Sequence, residues 1–222
     1  MAEIDFVLLW KEHYDKIDQS LAINKYLLKE ITTQKAVSAM RALIREKAAG
    51  IIAAIIYLVL LGGVLFFAIT HYSPAANYFI ISMGCIFLIN IKALFDYIRH
   101  LVWANNIDYN GSIMDIQQQL TRLQLSIWQH SRIMVLQFPF WTTFCLSSKW
   151  FPHSVGWGYI VFQLVLTSSF IYLAWWLYTH LVPEKAGSKL VQIFINGAGG
   201  KKVMKALAFY REMEQFENSS QP

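Results

Sequence analysis

Hydrophobic and polar positions along this chain are organised on two scales, long uncharged runs and short helical stripes. From Ala48 to Thr70 no charged residue interrupts the apolar run, which as a helix is long enough to cross a hydrocarbon core of about 30 Å. A second run starts at Ala75, continues to Ile91 and carries an apolar face on to Tyr97. A third lies between Arg132 and Lys149, only 16 uncharged residues with Gln137 and Pro139 inside it. A fourth goes from Val155 to Val182. The expectation is an all-α integral membrane protein with four transmembrane helices, at 48–70, 75–97, 133–149 and 155–182. The third is close to the lower length limit and also fits a re-entrant or interfacial segment. Pro139 is expected to kink it, since neighbouring helices can satisfy the freed carbonyl.

The short scale appears outside these runs. In the segment 1–47, Val7, Trp10, Tyr14, Ile17, Leu21, Asn24, Leu28 and Ile31 recur at spacings of three and four, a heptad-like stripe on one long amphipathic helix. Asn24 is a polar residue on that stripe, where it can fix register or partner number. In the link 98–132, Ile113, Ile116, Leu120, Leu123, Ile127, His130 and Met134 repeat the pattern. Asn110-Gly111 marks a turn before it, and Ser112 with Asp115 makes a capping-box start. In the tail 183–222, an apolar run from Leu190 to Ile195 precedes a glycine-rich turn, and Val203, Leu207, Tyr210 and Met213 form a third amphipathic helix. Two arrangements remain open. The stripes pack together, or with the tail, as an internal bundle; or a stripe offers a coiled coil or groove to a second copy or a partner helix.

Charge fixes the expected orientation. Of 19 Lys and Arg, eight fall in 1–47, four between Lys92 and Arg132, six after Pro183, and one, Lys149, in the link before the fourth run. With both termini in the cytoplasm, 18 bases lie inside and one outside, as the positive-inside bias requires. All 14 acidic residues share the inner side. Composition agrees, with 56% hydrophobic and 15% charged residues against about 25% charged in soluble domains. The net charge of +5 is accounted for by this topology and needs no nucleic acid. The N-terminus opens on Glu3 and Asp5 rather than a basic stretch, so the first run is expected to insert as an uncleaved anchor.

Candidate chemistry is sparse. Cys85 and Cys145 make no disulfide framework. His13 and Asp18 spell an H-x4-D acyltransferase pattern, but on a helix they lie about 140° apart. Lys92, Asp96 and Arg99 form an ion cluster at the inner end of the second run, at i,i+4 and i,i+3 spacing. Asn90, Gln137 and Gln163 are the polar residues that, with Lys92 and Asp96, would line a path through a small transporter or channel component. The turn Gly197, Gly199, Gly200, Lys201, Lys202 offers backbone N–H groups and cations to an anion or a lipid headgroup, although it lacks the P-loop spacing. No nucleophile–base pair or metal set appears, so neither enzyme activity nor a cofactor is expected.

The segment Trp10-Lys11, then Leu21-Ala-Ile-Asn24-Lys-Tyr-Leu27-Leu28-Lys29-Glu30, resembles uncharacterised multi-span inner-membrane proteins of Bacteroidota with an N-terminal Trp and an L-x-x-N-x-x-L-L-K-E helix. The likeness covers about 40 residues. It implies a bacterial inner (plasma) membrane location and a membrane-bound regulator resembling an anti-sigma factor, although no His-x3-Cys-x2-Cys zinc signature is present. The expectation is therefore a non-enzymatic protein of the lipid bilayer whose cytoplasmic helices bind a protein partner or form a homo-oligomer. Trp10, Tyr14, Ile17, Leu21, Asn24, Leu28 and Ile31 would be its contact stripe.

Overall fold

The computed structural model describes the backbone of residues 2–183 and 189–219. Residues 1, 184–188 and 220–222 lie outside it, as do the side chains of 2–9, 12, 15, 18, 21, 22, 25, 189, 190 and 216–219, Val7 and Leu21 of the expected stripe among them. The described residues are helical, with no strand among them. Seven α-helices follow in order: α1 Ala2–Thr70, α2 Asn77–Asn105, α3 Ile113–Met134, α4 Phe140–Thr143, α5 Trp157–His180, α6 Lys189–Gly197 and α7 Gly200–Ser219.

α1 is one continuous helix of 69 residues, about 100 Å long. No proline precedes Pro74, so nothing breaks the hydrogen-bond ladder before the Ser73-Pro74 corner. Two stretches of the same helix therefore do different work. Beyond Lys47, α1 presents Ile52, Ile55, Val59, Leu60, Phe66 and Phe67 outwards, an apolar surface suited to lipid. Its other side packs on α2: Leu61 and Leu65 meet Met83 and Ile86, with Phe140 and Phe144 against them. Small residues let the two backbones approach, because a Cβ on Gly50 or Gly62 would come within 3.1 Å of Tyr97 or 3.3 Å of Phe87.

Among the described residues, three stretches are long and apolar enough to cross a membrane, Tyr26–Thr70, Pro74–Asn105 and Trp157–His180. The segment at 133–149 is built differently. It is a 3-10 turn at Val135–Gln137 followed by the single-turn α4. Pro139 has no N–H to continue a helix, and the amides around it bond at i to i+3: Phe138 to Val135, Trp141 to Phe138, Thr142 to Pro139. This broken segment follows α2 step by step. Gln137 Oε1 accepts from Asn90 Nδ2 at 3.2 Å, Thr143 Oγ1 lies 2.8 Å from Ser82 Oγ, and Phe151 packs edge-on to Tyr78.

Below the apolar runs lies a helical bundle with its own core. Ala36, Met40 and Leu43 of α1, Ala104 of α2, Ile116, Leu120, Leu123 and Ile127 of α3, and Val203, Leu207, Tyr210 and Met213 of α7 are all buried together. α3 starts at its N-cap Ser112, whose Oγ accepts from Asp115 N at 3.1 Å and donates to the Asp115 carboxylate at 2.6 Å. α6 closes the bundle against α5, with Val191 and Ile195 packed on Trp128, Leu177 and Leu181.

Candidate functional site

The α3 stripe is consumed inside the molecule, as is that of α7. The α1 stripe is not. Tyr14, Ile17 and Ile31 are 62, 56 and 48% exposed, Asn24 is exposed and Leu28 half-buried. Trp10 is exposed as well. Among the described side chains of α1, the first buried one is Thr32, followed by Ala36, Met40, Leu43 and Lys47. α7 covers this stretch, lying antiparallel to α1 with Lys202 beside Glu46 and the Phe209 ring near Lys35. Exposed Ile23, Tyr26 and Leu27 widen the apolar surface beyond the heptad positions.

A polar cluster sits where the bundle meets the apolar runs. Asp96, 4% exposed, accepts hydrogen bonds from Lys92, from Arg99 Nη2 at 3.0 Å and from His130 Nδ1 at 3.1 Å. Arg99 also donates to Ser126 Oγ at 2.9 Å, and Ser126 Oγ lies 2.9 Å from His100 Nε2. The His100 ring is fully buried, and its Nδ1 has no partner. Nearby, the buried Lys47 donates to Ala198 O at 2.8 Å and lies 4.3 Å above the Tyr97 ring. Burial pushes the His130 imidazole below its ordinary pKa, against the opposing pull of the Asp96 carboxylate. The local pairs of Lys92, Asp96 and Arg99 follow from sequence spacing. The tie to His130 and Ser126 does not, because it crosses from α2 to α3.

The five residues of the transporter reading do not converge. Asn90 bonds Gln137, Lys92 bonds Asp96, and Gln163 donates to Thr142 O at 2.7 Å and to Thr167. A cavity of about 210 Å³ beside Tyr97, His130 and Phe194 includes Gln137 but none of the other four. Asn90–Gln137 and Gln163–Thr142 are local bonds between elements of the kind that fasten packed spans, and Lys92–Asp96 lies within α2.

The glycine-rich turn is packed and internally bonded. Ala198 N donates to Phe194 O, Gly199 N to Asn196 O and Lys202 N to Gly199 O, so these amides are engaged within the chain. Gly199 has φ +86°, and a Cβ there would lie 2.5 Å from Leu43 Cδ1. Only glycine turns the chain here while lying against α1. Gly200 is buried, Gly197 and Lys201 are exposed, and Lys202 pairs with Glu46 and donates to Ala42 O. The turn thus fastens α7 to α1, with Lys47 holding its carbonyl side.

No family model, curated protein or solved structure matches the chain. Its function is read from its own geometry.

Proposed function

We propose that this chain is a non-enzymatic inner-membrane protein that binds a protein partner, or a second copy of itself, through the N-terminal half of α1. The observation carrying this is the contrast in burial: the α3 and α7 stripes are covered, while Tyr14, Ile17 and Ile31 remain exposed on a helix held rigidly by the bundle below. An exposed apolar stripe of that length marks an interaction surface. Helix-in-groove docking or a coiled coil uses such anchors at three-and-four spacing.

The proposed topology has four crossings with both termini in the cytoplasm. The stepwise bonding of 137–151 along α2 supports a third crossing made of broken helix, since side chains and neighbours satisfy the backbone groups that Pro139 frees. The lysine and arginine bias supports the orientation. On this reading the projecting half of α1 stands in the cytoplasm. The resemblance of its Leu21–Glu30 segment makes a sigma factor the first partner to look for, with the chain acting as a membrane-bound regulator. No observation favours the small-transporter reading.

The test is the full chain carrying Tyr14→Glu and Ile17→Glu, purified in mild detergent. Co-purifying proteins and molar mass by light scattering are expected to change, with helix content and Tm unchanged. The same partners and the same mass in the variant would sink the proposal.

A further inference from the structure

Beside the covered face of α1 lies a second feature that the packing does not account for. Lys35, Ser38, Ala39 and Ala42 of α1 and Lys201, Lys202, Lys205 and Phe209 of α7 line an open groove of about 650 Å³. Four lysines surround it, over a floor of small residues. Glu46 neutralises Lys202, but among the described residues no carboxylate pairs with Lys35, Lys201 or Lys205. Lys201 and Lys202 also stand in the first turn of α7, where the positive end of the helix dipole disfavours cations. Gathering these charges costs stability twice, by mutual repulsion and by the dipole. A cost borne at one place on a fold is a sign of function there. The partly buried Phe209 ring has Lys35 and Lys205 each 5.8 Å from its centroid, so an aromatic face lies between the cations.

We infer that this groove binds a phosphate-bearing polyanion, with Lys35, Lys201 and Lys205 as its cations and Phe209 as an apolar or stacking wall. Charge-assisted hydrogen bonds from lysines to phosphate oxygens supply the affinity. Unlike the glycine turn, where the Ala198, Gly199 and Lys202 amides are engaged, the groove keeps its donors on side chains. Along α1 it extends over about 10 Å, from Lys35 to Ala42. Ala42 is about 9 Å of helix from the start of the uncharged run at Ala48, and Lys35 about 20 Å. A headgroup phosphate therefore reaches the end near Lys202, whereas a soluble di- or triphosphate engages the full length. This inference is independent of the N-terminal stripe.

The experiment uses the full chain in phosphatidylcholine nanodiscs, titrated calorimetrically with pyrophosphate and with ATP. The double variant Lys35→Gln, Lys205→Gln tests the groove. Neither side chain holds an ion pair in the fold, so the variant is expected to fold. Lys149→Gln, far from the groove, is the control. Binding by the parent, weakened at least about tenfold in the double variant and unchanged in the control, supports a soluble ligand. A rise in Tm when phosphatidylglycerol replaces part of the phosphatidylcholine, lost in Lys201→Gln at the membrane-proximal end of the groove, supports the headgroup as the source. No response to either anion source, a pyrophosphate or ATP response that the double variant keeps, or a lipid response that Lys201→Gln keeps, overturns the inference.

Discussion

α1 between Tyr14 and Ile31 and α3 between Ile116 and Ile127 carry apolar residues at the same three-and-four spacing, yet their fates are opposite. Ile116, Leu120, Leu123 and Ile127 are each at most 1% exposed, while Tyr14 and Ile17 are more than half exposed. Pattern alone therefore does not decide burial. What decides it is whether another helix is tethered within reach. α3 hangs from α2 by the short turn at 106–112 and folds back along it, and α7 is brought between α3 and α1 by the turn at Gly199. Before Thr32, no described side chain of α1 is buried by such a neighbour. A stripe in that position is idle for the fold, and its cost in exposed apolar surface makes sense if something else covers it.

The sharpest way to break this comparison is to truncate one residue in each stripe. Leu120→Ala removes a fully buried side chain from the bundle core and is expected to cost about 2–5 kcal/mol, enough to lower Tm clearly. Ile17→Ala, at an exposed position, is expected to stay within about 0.5 kcal/mol. Thermal unfolding followed by circular dichroism in one detergent compares them directly. Equal losses would mean that the N-terminal stripe is buried in the purified protein and that the two stripes share one fate.

A smaller effect tests what separates the covered and bare halves of α1. Gly199→Ala forces a side chain into the left-handed region and against the buried Leu43, at about 1–3 kcal/mol. The tail is expected to loosen from α1, so amide exchange should rise in α7 and at residues 36–43. Residues 14–31 should exchange as before. If protection falls equally along all of α1, α7 is not what sets the boundary.

Some of this was open to the sequence and some was not, for physical reasons. The long uncharged runs and the Ser112 cap are local properties, carried by a few neighbouring residues, and the three long apolar helices and the cap appear where local reading puts them. The segment 133–149 was harder. Its uncharged length alone suggests a span, but the proline at 139 and the chance to bond Asn90 and Ser82 favour broken turns over one helix. In the candidate sites, the Lys92–Asp96–Arg99 cluster follows from helical spacing. Its His130 limb depends on a contact between residues 34 apart, and the lysine groove on the meeting of Lys35 and Lys205 at Phe209, from opposite ends of the chain. No spacing rule reaches that far. His130 was visible as a member of the α3 stripe, and a lone imidazole on an otherwise apolar stripe was the one hint that a polar partner lay opposite.

That imidazole also supplies the finest test of the comparison, because each stripe carries one polar residue and only one of them titrates. Asn24 on α1 is exposed and uncharged at any pH. His130 on α3 is buried, bonded to Asp96, with Lys92, Arg99, His100 and Lys47 gathered around the same carboxylate. Burial holds its pKa below the ordinary value of 6.5, so on acidification the unfolded chain takes up a proton before the folded one does. The stability this represents is complete above about pH 6.5 and is lost as the pH falls from there towards the folded value, by at most about 1.4 kcal/mol per pH unit. Tm is therefore expected to drop between pH 7.5 and 5.5, and to drop less in His130→Gln, which keeps a hydrogen-bonding side chain but cannot titrate. Amide exchange at residues 14–31 should not respond to the same change. An identical pH slope in parent and variant would show that His130 is not the group that couples the α3 stripe to acid.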